Sequence, residues 1–147
     1  MTTSQIEIAV ARFFGTRANL IVPNVCWGFN IHECDLLIIS KSGYATEVEI
    51  KISLYDIVND KKKKHGHQSN KIKKLFFAIP KNLENCIHLI PDRAGVIIVN
   101  ENLSCEIIRE AQVNIRTEKL TAVERYHIAE LAVMRYWNLK EKIKELI

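Results

Sequence analysis

Two β-rich runs joined by a tight connection constrain this chain more than any other feature: CDLLIIS at 34–40 and YATEVEIKIS at 44–53, with Lys41-Ser42-Gly43 between them. Runs of this kind on either side of a short turn predict an antiparallel hairpin. Side chains alternate across a strand, so Glu47, Glu49 and Lys51 share one face while Val48, Ile50 and Ile52 share the other. The apolar set has to face the core. Glu49 and Lys51 then stand about 6–7 Å apart on the opposite face, where an antiparallel neighbour can bring Asp35 alongside.

Two carboxylates and an ammonium converging in this way match the needs of phosphodiester cleavage. A hard divalent cation held by carboxylate oxygens polarises a phosphate and lowers the pKa of bound water. The lysine amine orients or deprotonates the attacking water, or balances charge growing on the phosphate; the sequence leaves these roles open. An ordinary solvent-facing strand also reads EVEIKIS, apolar in and polar out, and on the tripeptide alone that reading stands beside the chemical one.

The rest of the chain frames this hairpin. Residues 3–15 carry Ile6, Ala9, Val10, Phe13 and Phe14 at helical spacing and stop at Gly15, predicting an amphipathic helix with Glu7 beside its apolar stripe. IVPNVCW (21–27) suits an edge strand because of Pro23. Ser53 caps a predicted helix through LYDIVNDKKKK, with Asp56 in its first turn, and HGHQSN follows as a loop. LFFAI (75–79) reads as a buried strand ended by Pro80, a short helix covers 82–89, and GVIIV (95–99) pairs with CEIIRE (105–110) as a second hairpin. Thr121 and Glu124 form a capping box that opens a long last helix, about 121–145, with Val123, His127, Leu131, Met134 and Ile143 on its expected packing face. The order α-β-β-β-α-β-α-β-β-α is that of an α/β domain with a mixed sheet.

A chain of 147 residues, 48% hydrophobic and 26% charged, suffices for one domain with its own core. The N-terminus lacks the marks of a secretory signal, and no apolar run approaches the ~20 residues of a membrane span. A soluble, cytoplasmic protein is therefore expected. Cys26, Cys34, Cys86 and Cys105 contain no close pair, which predicts reduced and mostly buried thiols rather than a zinc site or a disulfide framework.

Net charge is +4, yet residues 51–74 hold eight lysines against Asp56 and Asp60, so this segment carries +6 and the remainder −2. Lys61, Lys62, Lys63, Lys64, Lys71, Lys73 and Lys74 are candidates for contact with backbone phosphates, which makes affinity fall steeply with salt. A solvated helix end is the competing reading. His65, His67 and Gln68 lie in the loop just after the lysine run, where they could touch a phosphate or support the lysine, although HxH in an exposed loop is usually only polar; Gln68 is a minor candidate. Trp27, Phe29, Tyr44 and Tyr55 are candidates for base stacking, with core or edge packing the commoner use of such residues.

The arrangement Asp35-x13-Glu49-Ile50-Lys51, within HECDLLIIS and GYATEVEIKIS, resembles the PD-(D/E)XK nuclease superfamily. EIKIS followed by LYDIVNDKKKKHG and a later LFFAIP is similar to small MmcB-type, DNA-repair-associated members, and GVIIVNENLSCEIIREA fits the same pattern, so the likeness runs through about 5–112. The resemblance implies a restriction-endonuclease-like core, a central mixed sheet flanked by helices, within a single domain over 1–147 that adds the long C-terminal helix. It implies Asp35 and Glu49 as metal ligands, Lys51 as a catalytic group, and Glu7 as the helical acid that completes the site. Cys34 stands where the motif's proline would be.

Glu33 and Glu47 each lie two residues from an implied ligand; Glu47 is expected at the surface or in support of the site, and Glu33 as an extra acid near the metal or simply solvated. The expected function is Mg²⁺-dependent hydrolysis of DNA, as an endodeoxyribonuclease with Mn²⁺ as a possible substitute, in repair, recombination or phage DNA processing. The alternative is an inactive nucleic-acid-binding module or a subunit of a larger DNA-processing complex. The expected partner is DNA (duplex, single-stranded or branched) with no membrane, and Met134, Tyr136 and Trp137 suggest a homodimer or larger complex through the last helix.

Overall fold

The computed structural model describes residues 1–25, 32–63 and 65–147; Cys26, Trp27, Phe29 and Lys64, all singled out above, lie outside the described residues. The elements run α1 (Thr3–Phe14), β1 (Asn19–Val25), β2 (Cys34–Ser40), β3 (Ala45–Ile50), α2 (Leu54–Asp60), β4 (Ile72–Pro80), a 3-10 helix (Lys81–Leu89), β5 (Gly95–Val99), β6 (Cys105–Arg109) and α3 (Ala122–Glu145). The six strands form one mixed sheet in the order of the chain. β1–β2, β2–β3 and β5–β6 are antiparallel, while β3–β4 and β4–β5 are parallel. Parallel neighbours need a crossover, and α2 and the 3-10 helix supply the two required here.

Both faces of the sheet are covered. On one, Ile6, Ala9 and Val10 of α1 pack on Leu36, Ile38, Val48, Ile50, Phe76, Ala78, Ile97 and Val99. On the other, Leu120 and Ile128 cover Val22, Leu37, Ile39 and Ala45, and Ile57 of α2 covers Leu75, Phe77, Ile79, Val96 and Ile98. A strand buried on both sides has no solvent face, so the polar-out reading of EVEIKIS fails: Glu47 and Glu49 are each 0% exposed.

The first hairpin has the expected register, Leu36 opposite Val48 and Ile39 opposite Ala45. Gly43 in its turn adopts φ 92°, a left-handed conformation suited to glycine. Pro23 lies in the edge strand β1, and its carbonyl accepts from the Arg135 guanidinium of α3. Ser53 caps α2, its hydroxyl accepting from Asp56 N at 3.1 Å, while the Asp56 carboxylate accepts from Ile52 N at 3.3 Å. Thr121 and Glu124 form the capping box at the start of α3.

Several expectations require correction. β3 ends at Ile50 rather than Ser53, although Lys51 N still donates to Ala78 O at 3.1 Å; Ile52 is 40% exposed and leaves the core face. α2 stops at Asp60, so Lys61, Lys62 and Lys63 lie beyond the helix rather than in it. Residues 81–89 wind as a 3-10 helix. The packing face of α3 is carried by Ile128 and Ala132, whereas Val123, Met134 and Ile143 are exposed. Among the described cysteines only Cys34 is buried, with Cys86 and Cys105 half-buried, all three free thiols. Tyr55 is 75% exposed rather than packed. None of the helices is long and apolar enough to cross a membrane, among the described residues.

Candidate functional site

The site forms where the β2–β3 ladder opens. The last paired residues are Leu36 and Val48; beyond them side chains take over the hydrogen bonds of the backbone. Ile50 N donates to Asp35 Oδ2 at 2.7 Å, and Asp35 N donates to Glu49 Oε1 at 3.4 Å. The two carboxylates thus meet across the hairpin, and each is held by the other strand. Burial, followed by the charge of Glu49, pushes the Asp35 carboxyl above its ordinary range, against the opposing pull of the Ile50 N–H and of Lys51 and Lys63. Glu7, half-buried on α1, is raised by burial and then by the charge of Asp35.

Lys51 lies at the end of the same strand, its Nζ 3.0 Å from Glu49 Oε2 and 2.7 Å from Asp60 Oδ1. Alternation thus brings Glu49 and Lys51 together as expected, and the inferred hairpin adds Asp35. Asp35, Lys51, Asp60, Lys63, Asp56 and Asn59 are among the residues lining a cleft of about 400 Å³ beside the N-terminus of α1.

Behind this cleft lies a buried network that the sequence did not reveal. Lys63 turns back from the end of α2, its Nζ 2.7 Å from Glu49 Oε2 and 3.2 Å from Asp60 Oδ1. His67, only 3% exposed, bridges two acids, with Nδ1 2.7 Å from Glu47 Oε1 and Nε2 2.7 Å from Asp60 Oδ2. The other oxygen of Glu47 meets His32 Nε2 at 2.6 Å. Glu47 is therefore neither a surface residue nor peripheral to the site.

The charges follow from these contacts. Burial lowers His67, but hydrogen bonds to Asp60 and Glu47 outweigh it and raise the ring to about 9. Burial raises Glu47 and Asp60, yet the hydrogen bonds from His32 and His67 hold Glu47 at about 2, and those from His67 and Lys51 hold Asp60 below its ordinary range. Burial, then the charges of Glu47, Glu49 and Asp35, push the Cys34 thiol upward, which leaves it unreactive.

Other expected residues fall apart from this centre. Glu33 and Gln68 are exposed. Lys61 and Lys62 are exposed at the end of α2, and Lys63 is engaged by the acids. Lys71 pairs with Glu124 at 3.2 Å and Glu118 at 3.5 Å, Lys73 lies over the Tyr44 ring at 4.0 Å, and Lys74 reaches Glu110 at 4.0 Å. Lys74 is opposite Thr46, so it lies three residues along β3 from Glu49, about 10 Å at strand rise. Among the described residues, the candidate lysines outside the acid cluster form two groups rather than one patch, Lys61 with Lys62 and Lys71 with Lys73 and Lys74. Lys73 and Lys74 border a cleft of about 520 Å³ with Arg93, Arg116, Gln112 and Asn114.

From sequence alone, Asp60 and His32 are passed over as site residues, and His67 is taken only as a loop residue near a phosphate or the lysine. The available signal was HxH at 65–67 together with Asp60 and Lys63 three residues apart, and it becomes informative only once α2 is known to end at Asp60.

A family model described as DNA repair protein MmcB-like matches residues 2–140. The chain belongs to the MmcB-like family. No curated protein matches it. The fold of this MmcB-like chain is similar to that of a solved protein of unknown function from Silicibacter pomeroyi, with a TM-score of 0.69 at 18% identity, over 98% of this chain and 92% of the other. At that identity the likeness concerns the fold alone. Family membership places the MmcB-like chain in DNA repair, and the buried acid–lysine cluster is the part of it with chemistry to offer.

Proposed function

We propose that this chain is a metal-dependent DNA nuclease of the PD-(D/E)XK type, hydrolysing phosphodiester bonds at Asp35, Glu49 and Lys51. The observation that carries the reading is the meeting of Asp35 and Glu49 where the β2–β3 ladder opens, with Lys51 Nζ 3.0 Å from Glu49. Two carboxylates held together at an opened strand pair repel one another, and a cation relieves that repulsion. The donors are all carboxylate oxygens, the set a hard ion such as Mg²⁺ takes, with Mn²⁺ as a substitute. Asp35 and Glu49 would hold it, with Glu7 as a further acid. Bound there, a divalent cation supplies Lewis acidity toward the phosphate and a lowered pKa for water.

The protein's own groups do the rest. Lys51 offers an ammonium beside the reacting phosphate, placed to balance charge that grows in the transition state. Asp60 and Glu49 hold that amine on the cleft side. The cleft lined by Asp35, Lys51, Asn59 and Lys63 gives a phosphate room to approach. The MmcB-like family's link to DNA repair makes DNA the substrate to try first.

The test is cleavage of duplex, single-stranded and branched DNA with Mg²⁺ or Mn²⁺ against a chelator control. Asp35→Ala and Glu49→Ala are expected to abolish cleavage. Lys51→Ala is expected to slow it by about 10²–10³-fold, the scale for removing one group that stabilises transition-state charge. A second reading, a binding module without activity, is favoured by one contact: Lys63 and Lys51 both occupy Glu49 Oε2. Salt-sensitive DNA binding with no cleavage of any of the three substrates would support it and overturn the first.

A further inference from the structure

We infer that His32, His65, His67 and Glu47 form a second cation site, bordering the Asp35–Glu49 pair where His67 Nδ1 lies 3.8 Å from Glu49 Oε1, built for a borderline transition ion of the Zn²⁺ class. One ring nitrogen from each of the three histidines lies within 4.8 Å of those of the other two. Glu47 lies between two of them, its oxygens 2.6 Å from His32 Nε2 and 2.7 Å from His67 Nδ1. Three imidazoles and one carboxylate are a donor set that Zn²⁺, Co²⁺ and Ni²⁺ take and that Mg²⁺ disfavours.

Three further features separate this group from a chance gathering of histidines. First, His67 carries a carboxylate on its far nitrogen, Nε2 being 2.7 Å from Asp60 Oδ2. An acid in that position turns the other ring nitrogen toward a metal and fixes its tautomer. Second, His67 has φ 54°, a left-handed conformation, while 3% exposed; non-glycine residues are held this way mainly at functional positions. Third, the three rings lie against one another, His32 and His65 stacked with centroids 4.3 Å apart and planes 6° from parallel and His67 edge-on to them at 5.6 and 4.9 Å; imidazole lone pairs lie in the ring plane, so binding one ion turns His65 out of its stack on His32. Three rings from two distant parts of the chain converge, and two of them, His32 and His67, hold the Glu47 carboxylate between them.

The geometry needs a contraction and a turn of the His65 ring away from His32. Nitrogens bound to one tetrahedral Zn²⁺ at about 2.0–2.1 Å lie about 3.3 Å apart, so the widest present separation closes by about 1.5 Å. His32 and His65 are half-buried and precede β2 and follow α2, so neither is fixed within an element. His65 Nδ1 accepts from His67 N at 3.0 Å, and coordination exchanges that bond for the ion. An ion there ties the lysine loop to β3 directly behind Glu49.

The experiment uses the full chain, stripped with a chelator and returned to excess Mg²⁺, then titrated with Zn²⁺ by calorimetry and with Co²⁺ by visible absorption. One Zn²⁺ per chain is expected, together with the intense ligand-field bands of a four-coordinate Co²⁺. His32→Ala and His65→Ala are each expected to weaken Zn²⁺ by at least about tenfold, the cost of losing even an outer partner of a metal ligand, with the circular dichroism spectrum kept. His127→Ala, at a surface pair with Glu130, is expected to change nothing. Absence of stoichiometric binding, displacement of Zn²⁺ by the excess Mg²⁺, or affinity that survives both site variants overturns the inference. The readout is binding without cleavage, so a failed nuclease assay does not decide it.

Discussion

At the scale of single residues, the site is governed by His67, which holds two buried acids at once. Removing it leaves Glu47 and Asp60 without their shared partner, and breaking a buried ion pair costs about 3–5 kcal/mol. His67→Ala is therefore expected to lower the urea midpoint by a corresponding amount, whereas Glu33→Ala, at an exposed position, changes it by under about 0.5 kcal/mol. The same contacts set a pH dependence in the presence of chelator. His67 is raised in the folded state, so its contribution is complete below the ordinary histidine value of 6.5 and is lost as pH rises through about 9. Glu47 and Asp60 are lowered, so theirs is present above the ordinary carboxylate range and is lost as pH falls through their folded values. A urea midpoint that stays level as pH rises from about 6.5 to above 9, or that falls equally in His67→Gln, sinks this account. Glu49 and Lys51 were legible in the sequence because strand alternation depends only on spacing. Asp60 and His67 were not, because their meeting depends on where α2 stops and on a left-handed residue in the loop that follows.

At the scale of elements, alternation, capping and turn residues located nearly every strand and helix, since these signals are local. The Ser53 and Thr121 caps are examples, each hydroxyl accepting from the backbone N–H three residues on. Thr121→Ala is expected to cost about 1 kcal/mol, read as a lower thermal midpoint with the same spectrum. What local signals did not give was the packing face of α3, because apolar residues occur all round that helix and the edge strand β1 chooses among them. Ile128 and Ala132 pack with the cluster that contains Val22 and Val25, while the predicted Val123 and Met134 are 65% and 61% exposed. Gly95 is another position that only assembly explains. A Cβ there would lie 2.3 Å from the Phe76 ring and 2.8 Å from Ala111 N, and backbone cannot yield as a flexible side chain does. Gly95→Ala is expected to destabilise by about 1–3 kcal/mol, the range for overpacking, with an unchanged denaturant slope.

At the scale of the whole molecule, the structure divides the basic residues that the sequence had placed in one segment. Lys61 and Lys62 lie exposed at the end of α2. Lys73 and Lys74 border the cleft with Arg93 and Arg116. Lys63 belongs to neither group, since its amine is 2.7 Å from the fully buried Glu49 carboxylate. A charge already neutralised inside the protein releases no counterion when a phosphate arrives, so these lysines contribute differently to DNA affinity. Each phosphate contact removed reduces the log–log salt slope by about 0.9 on duplex DNA. The pairs Lys61→Ala/Lys62→Ala and Lys73→Ala/Lys74→Ala locate the strand: the pair under the DNA flattens the slope by about 1 to 2, and the other leaves it unchanged. Lys63→Ala is expected to lower the urea midpoint, because Glu49 and Asp60 lose a cation, and to leave the salt slope as it was. Binding measured by anisotropy across a range of salt separates these outcomes. A slope that flattens as much for Lys63 as for an exposed lysine would mean that its amine leaves the acids to meet DNA, and that the network behind the cleft opens when the nucleic acid binds.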